Sequence, residues 1–105
     1  MYRNQNFGNA LMALKDGLVA SRRGWNGRGM FVYYVPPASY KAQTGVAKKF
    51  YGEEAMVPYA GYFALKNADG QVHVWVPSTG DLLAEDWTLA RVGEIDTLMH
   101  EGEVC

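Results

Sequence analysis

The segment Met30-Phe31-Val32-Tyr33-Tyr34-Val35 is apolar at every position and is followed at once by Pro36-Pro37. A strand that is apolar on both faces belongs in the middle of a sheet rather than at its edge. The two prolines end it, because proline cannot donate to the ladder and restricts the residue before it. The rest of the chain has to supply neighbours for this strand. Residues 18–21 read as a short strand before it, and residues 62–66 as a third strand with Phe63 and Leu65 on one face. Asn67-Ala68-Asp69-Gly70 makes a turn, from which residues 72–76 return as a hairpin partner. Residues 87–92 alternate well enough for a last strand. Phe7, Ala10, Leu11 and Leu14 recur at spacings of three and four, which predicts one amphipathic helix over 6–16. Asn4 or Asn6 can cap its start, and Gly17 stands where a C′ glycine belongs.

The expected architecture is therefore α+β, one N-terminal helix packed on an antiparallel sheet of four or five strands. A long irregular loop over 38–58, with one helical turn around 46–51, separates strands two and three. All 105 residues form a single domain. Its core spans about 6–92, and 93–105 is a C-terminal extension. Alternation puts Val72, Val74 and Val76 on one face and His73 and Trp75 on the other. The valines are the better core face, so Trp75 is expected on the outer face, where a tryptophan calls for a second layer, a subunit or a ligand. Ser78 or Thr79 caps a short turn with Asp81 in its first turn and Leu82 and Leu83 buried.

Into the central strand runs Gly24-Trp25-Asn26-Gly27-Arg28-Gly29-Met30. Asn26-Gly27 alone would reverse the chain. Trp25 and Arg28 beside that pair add a flat aromatic and a guanidinium, which suits a binding loop as well as a turn with a core tryptophan and a solvated arginine.

Charge narrows the ligand. With 10 Lys+Arg against 11 Asp+Glu, the chain lacks the positive field on which polymer nucleic-acid binding relies. No apolar run approaches a membrane span, and no signal peptide is visible. The one cysteine, Cys105, provides neither a disulfide framework nor a thiolate metal site. A reducing, cytoplasmic setting follows. His73 and His100 have no metal-site spacing, the serines lack a nucleophile context, and Asp81, Glu85 and Asp86 read as helix-start and surface charges before they read as an acid–base pair. No catalytic residue, metal or cofactor is expected. Binding is better supported: Trp25 and Trp75, with Phe31 or Tyr33, can stack on a planar base, and Arg22, Arg23 and Arg28 can pair with phosphate oxygens. Asn26 and Asp81 can read ribose hydroxyls or a base edge.

Two motifs taken together, Gly24-Trp25-Asn26-Gly27-Arg28-Gly29-Met30 and Asp81-Leu82-Leu83-Ala84-Glu85-Asp86-Trp87, resemble the Thoeris anti-defence type 2 family of small phage proteins. The resemblance runs from about residue 6 to residue 89. It implies a protein of the infected bacterial host's cytoplasm that sequesters a cyclic ADP-ribose-type immune signal without degrading it. It also implies a homotetramer with ligand pockets at subunit junctions, and cyclic dinucleotides held in separate pockets by some relatives. Carried onto this chain, the ligand-binding set is Trp25, Asn26, Arg28, Phe31, Trp75 and Asp81, with Trp87 supporting the core. Two other readings stay open: an oligomerising structural protein without a small ligand, and an enzyme that cleaves the signal.

Overall fold

The computed structural model describes residues 1–25 and 28–100. Six strands form one antiparallel sheet: β1 (Tyr2–Gln5), β2 (Val19–Arg22), β3 (Phe31–Val35), β6 (Tyr62–Lys66), β7 (Val72–Val74) and β8 (Trp87–Ala90), in the order β1-β8-β2-β3-β6-β7. The all-apolar strand β3 is interior as expected, flanked by β2 through Ala20↔Val32 and by β6 along its whole length. A second, two-stranded sheet pairs β4 (Ala38–Lys41) with β5 (Met56–Tyr59). Four helices complete the described residues: α1 (Phe7–Lys15), α2 (Gly45–Tyr51), α3 (Thr79–Leu83) and α4 (Ile95–His100), the last preceded by a 3-10 turn over Val92–Glu94.

Local chemistry explains the boundaries. The Asn6 side chain accepts from the Asn9 N–H at the start of α1, and Gly17 leaves the helix at φ 91°. Ser78 and Asp81 form a reciprocal capping box on α3. The sheet is covered on both faces. On one, α1 places Ala10, Ala13 and Leu14 against Ala20, Val32, Trp87 and Leu89, with Phe7, Trp25, Phe63 and Leu65 packed around them. On the other, Leu98 of α4 meets Val19 and Ala90, with Phe31 and Tyr33 beside them.

Four expectations are corrected. Along 72–76 the covered side is not the valine side, although His73 is exposed as well. Trp75 is buried in the core under α1, whereas Val72, Val74 and Val76 are 52%, 70% and 80% exposed. The helix covers the tryptophan side because Phe7 lies 6.2 Å from Trp75 and 5.6 Å from Trp87, so the aromatic rings build that layer. Leu82 and Leu83 are exposed, because the capping box turns the Asp81 side of α3 inward. The stretch 38–58 is not an irregular loop but a strand–helix–strand excursion. Finally, β1 adds a strand at 2–5, and the sheet has six strands rather than four or five.

Gly61, between β5 and β6, has a steric duty. A Cβ there would lie 2.6 Å from the Tyr34 hydroxyl, 3.1 Å from its ring and 3.1 Å from Pro37. Gly61→Ala is expected to cost about 1–3 kcal/mol in urea denaturation, as overpacking does. Adding Tyr34→Phe, which removes the nearest atom, is expected to recover part of that loss.

Candidate functional site

The glycine loop leaves the end of β2, and what fixes its first residues is Arg22, the last residue of that strand. Its guanidinium lies between two carboxylates: one terminal nitrogen (Nη1) donates to Asp81 Oδ1 at 2.9 Å and Nε to Asp86 Oδ1 at 2.9 Å. Asp86 also accepts from the Gly24 N–H at 2.8 Å, and its carbonyl accepts from the Arg23 N–H at 3.3 Å. A Cβ at residue 24 would approach Asp86 Oδ2 to 2.9 Å, so glycine allows the carboxylate to sit against the backbone.

Asp81 is the other half of the arrangement. It is 7% exposed and carries no unpartnered oxygen. Oδ1 accepts from Arg22 and from the Trp25 indole N–H at 3.1 Å, while Oδ2 accepts from the Ser78 N–H at 3.0 Å. Its main-chain carbonyl accepts from the Trp87 indole N–H at 3.0 Å. One residue thus orients two tryptophans. Their rings meet edge to face at 5.4 Å, and Trp75 closes the group at 6.4 Å from Trp25 and 6.0 Å from Trp87.

Electrostatics follow from these contacts. Burial pushes the Asp81 carboxyl up, but the Ser78 N–H, Arg22 and Trp25 together outweigh it and hold the group below the usual aspartate value. At Asp86 burial acts the same way, and Arg22 with the Gly24 N–H again brings the net shift down. The pairing with Asp86 and Asp81 raises Arg22 in turn. All three groups are charged at neutral pH.

The expected site residues therefore separate. Trp25, Trp75 and Asp81 come together under α1, with Trp25 half-buried and the other two buried. Phe31 lies on the opposite face of the sheet, 6.0 Å from Tyr33 and beneath the Lys66 ammonium at 5.8 Å, so no single platform of Trp25, Phe31 and Trp75 forms within the chain. Arg28 is exposed and has no partner among the described residues, whereas Arg22 is engaged by two aspartates and Arg23 by Asn4. Asn26 lies outside the described residues. The far end of the loop is held by Lys66, whose ammonium donates to the Gly29 carbonyl at 2.9 Å. The reading of the sequence missed Arg22 and Lys66 as the loop's fasteners. The acidic cluster at 81–86, read as helix-start and surface charges, was the available signal for Arg22.

Among the described residues, no group of three or more His, Cys, Asp or Glu could hold a metal, and no helix is long and apolar enough to cross a membrane.

Comparison with known proteins gives two findings. A family model described as the Thoeris anti-defense 2-like domain matches residues 5–90. A protein of Bacillus phage SP01 named Thoeris anti-defense 2 is 39% identical over 93 residues, covering 85% of this chain and 98% of that protein. Both matches contain the glycine loop and the 81–87 segment that fastens it.

The aspartate pair sets an acid limit on stability. Both aspartates ionise more readily folded than unfolded, so their contribution is complete above the ordinary value of 3.8 and is lost as pH falls through the lowered folded values. The wild-type urea midpoint is expected to decline from about pH 5 downward. Asp81→Asn is expected to cost about 2 kcal/mol or more at pH 7 and to flatten that decline. The amide offers one acceptor where Ser78, Arg22 and Trp25 present three donors.

Proposed function

Because the chain belongs to the Thoeris anti-defense 2-like family, we propose that it is a phage anti-defence protein that binds and sequesters a cyclic ADP-ribose-type signalling nucleotide in the bacterial cytoplasm. The nucleotide is held without chemistry, and its removal keeps the immune effector downstream of it unswitched. The observation that carries this reading is the fastened glycine loop, which presents Arg28 to solvent while Arg22 beneath it is neutralised by Asp81 and Asp86. An exposed cation on a glycine-bounded loop suits a phosphate oxygen, with backbone N–H groups at hand for the same anion.

Within this reading the roles differ from those the motifs alone imply. Arg28 and Asn26 meet the ligand, and the exposed part of Trp25 offers a stacking surface. Asp81 and Trp75 hold Trp25 in place from below. Phe31, being on the other face, joins a pocket only where a second subunit contributes it, which accords with a homo-oligomer, a tetramer by the family resemblance, with ligand sites at its junctions. Binding is favoured over cleavage in this reading because the two carboxylates that could act as acid and base are engaged within the protein, Asp81 by Ser78, Arg22 and Trp25 and Asp86 by Arg22 and Gly24.

A sequestering protein has to outcompete the receptor for sub-micromolar signal. That requires a Kd of about 10–100 nM, or roughly −9.5 to −11 kcal/mol. Aromatic stacking at about 1–3 kcal/mol per base and charge-assisted hydrogen bonds can supply it in a shared pocket.

The test is depletion and release. A cyclic ADP-ribose isomer mixed with excess protein is expected to vanish from the filtrate and to return intact after heat denaturation. Cleavage products would identify an enzyme, and undiminished nucleotide a protein without this ligand. Arg28→Ala is expected to weaken binding about 10- to 100-fold, with thermal stability within about 0.5 kcal/mol of wild type because the side chain is exposed and has no partner among the described residues.

A further inference from the structure

We propose that α4 is a clasp on the exit of the glycine loop, with Met99 as the positioning residue that keeps Gly29 in the conformation used for binding. The affinity this confers rests on the nucleotide reading above, whereas the clasp itself does not.

The loop re-enters the sheet through Gly29 and Met30, and three side chains from elsewhere in the chain close on these two residues. The Ser21 hydroxyl of β2 donates to the Met30 carbonyl at 2.7 Å. The Lys66 ammonium of β6 donates to the Gly29 carbonyl at 2.9 Å. Met99 of α4 is the third, and it acts by contact alone. A Cβ at residue 29 would lie 3.5 Å from Lys66 Nζ, 3.6 Å from Met99 Cε and 4.0 Å from Met99 Cγ. Those are ordinary van der Waals separations, so the thioether chain and the ammonium already flank the glycine. Gly29 has φ 68°. A glycine visits either sign of φ with little penalty, so its neighbours decide which one persists.

The placing of Met99 depends on its own helix. With six residues, α4 is too short to persist in water without packing. Leu98, 8% exposed, supplies that packing against Val19 and Ala90, with Ile95 beside them. The 3-10 turn before the helix is closed by Glu94, which accepts from the Arg91 N–H at 2.9 Å. Anchoring Leu98 sets the next residue along the sheet face toward Gly29. Methionine suits that position, being unbranched and able to follow an irregular backbone surface.

The family domain matches residues 5–90 and so ends with the last residue of β8. The glycine loop lies inside that match, but one of the three groups that hold its exit lies outside it. Through α4 the chain adjusts a shared loop without altering any residue in it. A loop ordered before the ligand arrives loses less conformational freedom on binding, so the clasp acts on affinity through preorganisation.

The experiment pairs limited trypsin digestion, read by mass spectrometry, with nucleotide depletion. Trypsin cuts after Arg28 when the chain around it opens, so the rate there follows the open population. Lys15, at the end of α1 on the other face of the sheet, serves as the reference cut. Met99→Ala is expected to speed cleavage after Arg28 about fivefold or more relative to Lys15, and to weaken nucleotide binding about 3- to 10-fold. Met99→Leu, of similar volume, is expected to bring both to within about twofold of wild type. An unchanged rate at Arg28 overturns the proposal, as does equal acceleration at both cuts, which would be general loosening. A leucine variant as loose as the alanine one overturns it too, since filling the space then fails to restore the hold. Faster cleavage with wild-type binding strength overturns the link to affinity and with it the proposal. Wild type that depletes no nucleotide refutes the ligand assignment instead, and the cleavage ratio then decides the clasp by itself.

Discussion

The carboxylate of Asp81 is the constraint on which the rest depends. Buried under α1, it would be costly to leave ionised without donors, and the chain surrounds it with three: a main-chain N–H of Ser78, the guanidinium of Arg22 and the indole of Trp25. Those donors come from different parts of the sequence, so satisfying one side chain draws the end of β2, the start of the glycine loop and α3 to a common point. Its carbonyl then brings in Trp87. A buried charge of this kind is weak evidence for stability in itself. Here it serves to place two tryptophans in one orientation, which a purely apolar contact would leave less determined.

Much of this was legible in the residues. The interior strand 31–35, the exit at Gly17 and the two helix caps, each narrowed to a pair of residues of which Asn6 and Ser78 prove to be the ones used, rest on local chemistry. What could not be read was which face of a strand is covered. Alternation separates Trp75 from Val72 and Val74, but only the position of α1, set by Phe7 against Trp75 and Trp87, decides that the tryptophan side is inside. The strand at 2–5 was hidden because Tyr-Arg-Asn-Gln shows no apolar alternation and is joined through backbone pairing with β8. Strands 38–41 and 56–59 were hidden for a similar reason, carrying Ser39, Lys41 and Pro58.

The candidate site shows the same division. The residue types expected at a nucleotide pocket are present, but several are occupied within the protein. Arg22 and Asp81 neutralise one another, and Trp75 is core. Spacing along a chain cannot distinguish a cation that meets a ligand from one that meets an aspartate about sixty residues away. Burial and pairing make that distinction, and they leave Arg28 as the cation open to solvent in the loop.

Both ends of the glycine loop are tied to the scaffold, at Gly24 and Trp25 by the two aspartates and at Gly29 by Lys66. The consequence is evolutionary. Arg28, between these fasteners, is exposed and has no hydrogen-bond or ionic partner among the described residues, so exchanging it alters what the loop presents without breaking what holds it. On the proposed function, a host that changes the chemistry of its signal would be met by single substitutions between these fixed points. The selective cost of exploring new variants then falls on recognition alone, and the fold stays the same.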